Sequence, residues 1–138
     1  MTDSYVRKML FHGAGVIWVG LLTGFPFGLV VMDRLEGDVR AWRMAHLEGV
    51  LNGLLTIAAG AALKHLSLDE RRVPLYAWSF IVAAWGNIIA SIIAALARQR
   101  GLELAPPLSN VVVFTLFVIA VVGVLVGLYL MMRGAQKN

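Results

Sequence analysis

The sequence predicts an all-α integral membrane protein, a bundle of four transmembrane helices that uses nearly the whole chain as one domain, 1–138. Two observations carry that prediction. Of the 138 residues 59% are hydrophobic and 14% charged, with a mean hydropathy of +0.79, whereas a water-soluble domain carries about 25% charged residues because its surface must face water. The apolar residues also gather into four stretches, 9–32, 44–63, 73–97 and 108–132, each meeting the roughly 20 residues an α-helix needs to cross a bilayer core. With their flanking residues the helices are expected near 6–32, 42–65, 73–98 and 108–133.

The first helix follows Thr2-Asp3-Ser4 and closes at Asp33-Arg34. Its run resembles a signal peptide behind Arg7 and Lys8, but it is longer than ~20 residues and lacks an A-x-A-like cleavage site, so it is expected to be retained. Pro26 inside it removes a backbone donor and should kink it. A polar connection from Asp33 to Ala41 leads to Trp42, expected as an interfacial aromatic, and the second helix ends at Lys64-His65. The connection 66–72 is too charged to be buried, and Pro74 suits the first turn of the third helix. That helix runs to Arg98, and 99–107 precede a fourth whose Val111–Met132 stretch holds no ionisable residue. The fourth helix therefore reads as lipid contact and packing.

The formal charge of +4 and pI near 10.0 do not indicate a nucleic-acid partner, because Lys and Arg sit singly or in pairs at the ends of apolar runs, as membrane anchors do. With four spans, Arg7, Lys8, Lys64, Arg71, Arg72, Arg133 and Lys137 share one side, and Arg34, Arg40, Arg43, Arg98 and Arg100 the other. Seven against five favours both termini in the cytoplasm, as a multi-pass protein of a bacterial-type inner (cytoplasmic) membrane. The absence of cysteine excludes disulfides, cysteine-ligated iron–sulfur clusters, thiolate haem ligation and a covalent c-type haem.

Ionisable groups inside a span are functional candidates, since each costs about 2.5–3.5 kcal/mol on insertion scales. His12, His46 and Glu48 qualify. At 1.5 Å of rise per residue His12 lies roughly 9 Å in from one face and His46 roughly 7 Å in from the other, too far apart in a ~30 Å core to ligate one metal within a protomer. His46, Gly49, Val50, Gly53, Ile57 and Gly60 follow the spacing of one helical face. Two readings of that face are open: a flat surface for a planar macrocycle beside the imidazole, or close helix packing through small residues. Glu48 and Asn52 form a second stripe four apart, which suits a buried acid, an intersubunit partner of an arginine or an interfacial residue. On the third helix Asn87 and Ser91 lie four apart next to Trp85, and roughly 21 Å of rise from Val73 brings Asn87 to the depth of His46 and Asn52. Asparagines at one depth fit a site, or interhelical hydrogen bonds worth about 0.6 kcal/mol each.

Three blocks, Arg7-Lys8-Met9-x-x-His12-Gly13, Trp42-x-x-Ala45-His46 with Leu51-Asn52-Gly53, and Trp85-Gly86-Asn87, resemble in order and spacing the membrane-embedded styrene oxide isomerase family. The resemblance covers the first three helices, and the fourth is similar only in being apolar. It implies a homotrimer of four-helix protomers with haem b between subunits. His46 would be the iron ligand, beside Gly49 and Gly53, and Asn52 and Asn87 would be the catalytic residues. In that family ferric iron acts as a Lewis acid on a small apolar epoxide, and a hydride shift yields the aldehyde without net redox change. Asn52 matches the asparagine that would bond the developing oxyanion. The family tyrosine falls on Ser91 and the family aspartate on Ala83, while Glu48 has no acidic counterpart. Haem binding with weak or absent turnover of styrene oxide is therefore expected. Two other classes remain open: a small proton-coupled exporter using Glu48, and a non-catalytic haem carrier or sensor.

Overall fold

A computed structural model describes residues 2–136. Its helices are α1 (Thr2–Leu22), α2 (Gly24–Val31), α3 (Val39–Ala62, continued by a 3₁₀ turn over Leu63–His65), α4 (Arg72–Ala97) and α5 (Leu108–Ala135), with no strand among the described residues. Among the described residues four spans are long and apolar enough to cross a membrane: Thr2–Val31, Val39–His65, Arg72–Ala97 and Leu108–Ala135.

The first span is interrupted at Thr23, one turn before Pro26. The proline has no N–H to give the Leu22 carbonyl, and its ring crowds that carbonyl. The amides on either side keep helical partners, Thr23 to Val19 at 3.1 Å and Phe27 to Thr23 at 3.2 Å. The span is thus broken and not ended. α3 starts three residues earlier than expected because Asp38 Oδ1 accepts the Arg40 amide at 2.8 Å, satisfying a donor that the helix leaves free. Trp42 consequently lies inside the helix. It is 7% exposed and packs on Val30 and Ala95.

α1 and α3 touch through glycines. A Cβ on Gly20 would lie 2.7 Å from Gly49 Cα, and one on Gly53 would lie 2.6 Å from the Gly13 carbonyl oxygen. Backbones approach this closely only where side chains are absent. α4 lies against α3, with Tyr76 O–H donating to the Ala59 carbonyl at 2.9 Å beside buried Met9, Leu63 and Phe80. α5 docks chiefly on α4, closely at Gly123, where a Cβ would lie 2.7 Å from the Ser79 carbonyl, and much of its remaining surface is exposed Val and Leu. The loop before α5 is folded by Asn110, whose Oδ1 accepts from Gly101 N at 3.0 Å and whose Nδ2 donates to the Glu103 and Ala105 carbonyls. Sequence reading had assigned Asn110 no role.

The ends of the bundle segregate as an even number of spans requires. Lys64 pairs with Asp3 at 2.9 Å and the Ser67 amide bonds the Gly134 carbonyl, joining the start of α1, the α3–α4 turn and the end of α5. Arg98 and Glu36, 3.3 Å apart, lie at the opposite end. Of the seven basic residues assigned to the first end, Lys137 lies outside the described residues.

Candidate functional site

His46 leaves α3 toward the break between α1 and α2. Its Nδ1 is 2.8 Å from the Gly20 carbonyl oxygen. A carbonyl only accepts, so Nδ1 carries the proton and the lone pair of the neutral ring is on Nε2. The same carbonyl accepts from Thr23 Oγ1 at 2.6 Å. A Cβ on Gly24 would come within 3.3 Å of Nδ1, and the Phe27 ring stacks on the imidazole with centroids 6.4 Å apart and planes 18° apart. Gly20, Thr23, Gly24 and Phe27 thus seat the half-buried ring. Sequence reading missed all four as site residues, although the kink it placed at Pro26 marks the turn they belong to.

His12 has the opposite arrangement. Trp85 Nε1–H donates to His12 Nδ1 at 3.2 Å, and the ring meets Phe11 edge-on at 5.4 Å and Trp78 at 6.0 Å. An indole N–H cannot accept, so the Nδ1 lone pair is engaged and the neutral ring holds its proton on Nε2. Only one of the two histidines offers a free nitrogen. Trp85→Phe removes a single interhelical bond, and is expected to cost roughly 1 kcal/mol or less. Thermal unfolding in detergent checks this; a collapse of the fold would show that the indole does more than bond His12.

Gly49 and Gly53, expected as cofactor contacts, are buried against α1. Their face is filled within the protomer, so the flat surface for a macrocycle is corrected to a helix-packing surface. Ile88 Cδ1 also comes within 3.0 Å of a Cβ on Gly49. Asn87 is therefore level with the stretch of α3 between His46 and Asn52, the depth expected for it.

Asn52 lies on another side of α3. It is six residues from His46, about 120° around the helix and roughly 9 Å along it. It shares a face with Ala59, which packs in one cluster with Tyr76 and Ala77 of α4. Asn52 Nδ2 donates to Glu48 Oε2 at 2.7 Å and to the Glu48 carbonyl at 2.8 Å. Both of its N–H groups are engaged, so in this arrangement it has none left for the oxyanion. Ser91 Oγ lies 3.5 Å from Asn87 Oδ1, at the limit of a hydrogen bond. Ala83, one turn from Asn87 on α4, is covered by α5: it is 1% exposed, with its Cβ 3.1 Å from a Cβ on Gly123 of α5.

No group of three or more His, Cys, Asp or Glu side chains able to hold a metal occurs among the described residues. A metal held here would have to bring most of its own donors, with the Nε2 lone pair of His46 available as one. Two open apolar grooves, of about 420 Å³ along α4 and α5 by Trp78 and Val122, and about 220 Å³ by Phe114 and Phe117, touch neither His46 nor Asn52.

The family model described as styrene oxide isomerase matches residues 5–136. A styrene-oxide isomerase of Pseudomonas fluorescens is 26% identical over 118 residues, spanning 77% of this chain and 70% of that protein. The hydroxylaminobenzene mutase HabB of Ectopseudomonas oleovorans is 29% identical over 101 residues, spanning 72% of this chain and 58% of that protein.

Proposed function

The chain belongs to the styrene oxide isomerase family, and on that premise we propose that it is a redox-neutral isomerase of a small apolar, oxygen-bearing substrate, working with haem b held by His46. The observation that carries this reading is the fixed tautomer of His46. The Gly20 carbonyl holds Nδ1–H at 2.8 Å, a bond of the kind that orients a metal-bound histidine and raises its basicity. Nε2 is left with its lone pair on a ring that is only half buried. Bound there, haem would supply a Lewis acid for the substrate oxygen. The protein residues do the rest: Thr23 and Gly20 hold the imidazole, Phe27 limits its rotation, and the apolar helices exclude water.

The two sides of α3 favour an oligomer. A substrate that meets both a group on His46 and the side chain of Asn52 cannot reach both from one protomer without passing around the helix. Two copies resolve this, His46 coming from one and Asn52 from its neighbour, and the family resemblance suggests a trimer. The proposed location is an inner membrane with both termini cytoplasmic, on the excess of basic residues at that end.

The test is a visible spectrum of the detergent-purified protein followed by an isomerisation assay. A Soret band is expected, and its absence overturns the haem reading in favour of a transporter class. Turnover of styrene oxide is expected to be weak or absent, because each missing preorganised group typically costs about 10²–10³ in rate and Ala83 and Ser91 replace two. A rate equal to that of a family enzyme carrying both groups would show that those positions are not needed. Ala83→Asp is not a route to gain of function here, since the carboxylate would enter the α4–α5 contact at Gly123.

A further inference from the structure

Glu48 is a carboxylate inside a span that forms no ion pair among the described residues. Its observed partner is Asn52. The two N–H groups of Asn52 face two acceptors, Glu48 Oε2 at 2.7 Å and the Glu48 carbonyl at 2.8 Å. A flipped amide would set Oδ1 against both of them, so the orientation is determined by the network. Oδ1 receives no hydrogen bond among the described residues, and no buried side-chain polar atom lacks a partner. That oxygen is therefore accessible, with an unused lone pair in an apolar setting, where an unmet polar atom is costly.

We propose that Glu48 is a positioning residue that turns Asn52 into a hydrogen-bond acceptor, so that the site selects substrates bearing an O–H or N–H donor over those, such as epoxides, that can only accept. The selection rests on the reading of Asn52 as substrate-facing. An acceptor-only ligand meets Oδ1 lone pair to lone pair, whereas a hydroxyl or hydroxylamine group donates to it. The carboxylate thus acts at a distance, by occupying the amide hydrogen that would otherwise be offered.

Two probes of one skeleton test this, 1-phenylethanol, which donates, and acetophenone, which only accepts. Affinities are measured by calorimetric titration of the full chain in detergent, with blank micelles subtracted. The intact protein should prefer the alcohol by about tenfold, the worth of one net hydrogen bond. Glu48→Ala frees one Asn52 N–H and should bring the ratio close to one by raising acetophenone affinity. Glu48→Gln, whose side-chain oxygen still accepts, should keep it. A ratio of one or less in the intact protein overturns the proposal without any variant, as does an unchanged ratio in a folded Glu48→Ala protein. The spectrum separates the two readings: a Soret band with no alcohol preference rejects the role of Glu48 alone, and a preference without the band rejects the haem.

Discussion

His46→Ala is expected to abolish the Soret band of the purified protein while leaving a folded oligomer by native mass spectrometry. The imidazole touches Gly20, Gly24 and Phe27 at the edge of the α1–α3 contact, and its ring is partly exposed, so its removal opens no deep cavity. The loss should be specific to the ligand. His12→Ala is the matched control. His12 is the same residue type in the same bundle, but its Nδ1 is engaged by Trp85, and its removal should leave the band in place. Retention of haem by His46→Ala and its loss from His12→Ala would reverse the assignment. Oligomers are expected in both variants, and haem-loaded monomers alone would reject a site shared between protomers.

Gly20→Val should have the largest effect on the fold. A Cβ at Gly20 would lie within 2.7–2.8 Å of Gly49 Cα and carbonyl carbon and of the Val50 nitrogen. All three atoms are helix backbone, which cannot swing aside as a side chain end can. The helices must separate, and overpacking of this kind costs about 1–3 kcal/mol and sometimes more. Low folded yield and an aggregated peak on size exclusion are expected. Gly28→Ala, which meets nothing within 4 Å, should behave as the parent. A Gly20→Val protein with unchanged yield and unfolding midpoint would mean that α1 and α3 are not packed through these glycines. Because the Gly20 carbonyl also holds His46, a partly folded variant should lose haem as well on the proposed reading, so the close helix approach and the imidazole's orientation depend on one residue.

Four spans and the relative heights of polar residues along them were legible in the sequence, because hydropathy and rise per residue are local quantities. The Glu48–Asn52 pair was visible as a spacing of four. So was the level shared by Asn87 and the polar part of α3, since antiparallel spans of similar length bring computable heights together. The family was legible from three short blocks. The N-terminus of α3 was missed by three residues because Asp38 caps it through its side chain.

Sequence alone determined which residues share a face, and the tertiary structure decided what covers each face. The glycine stripe of α3 left a macrocycle and a helix both open until α1 filled it. His12 and His46 were equivalent as imidazoles until partners 73 and 26 residues away assigned their protons. Position 83 lies on the side of α4 that carries 87 and 91, and only the packing of α5 decided that it is covered. The physical reason is common to all three: helical periodicity is set by backbone geometry within one segment, while hydrogen-bond direction and steric access are set by atoms the chain brings in from elsewhere.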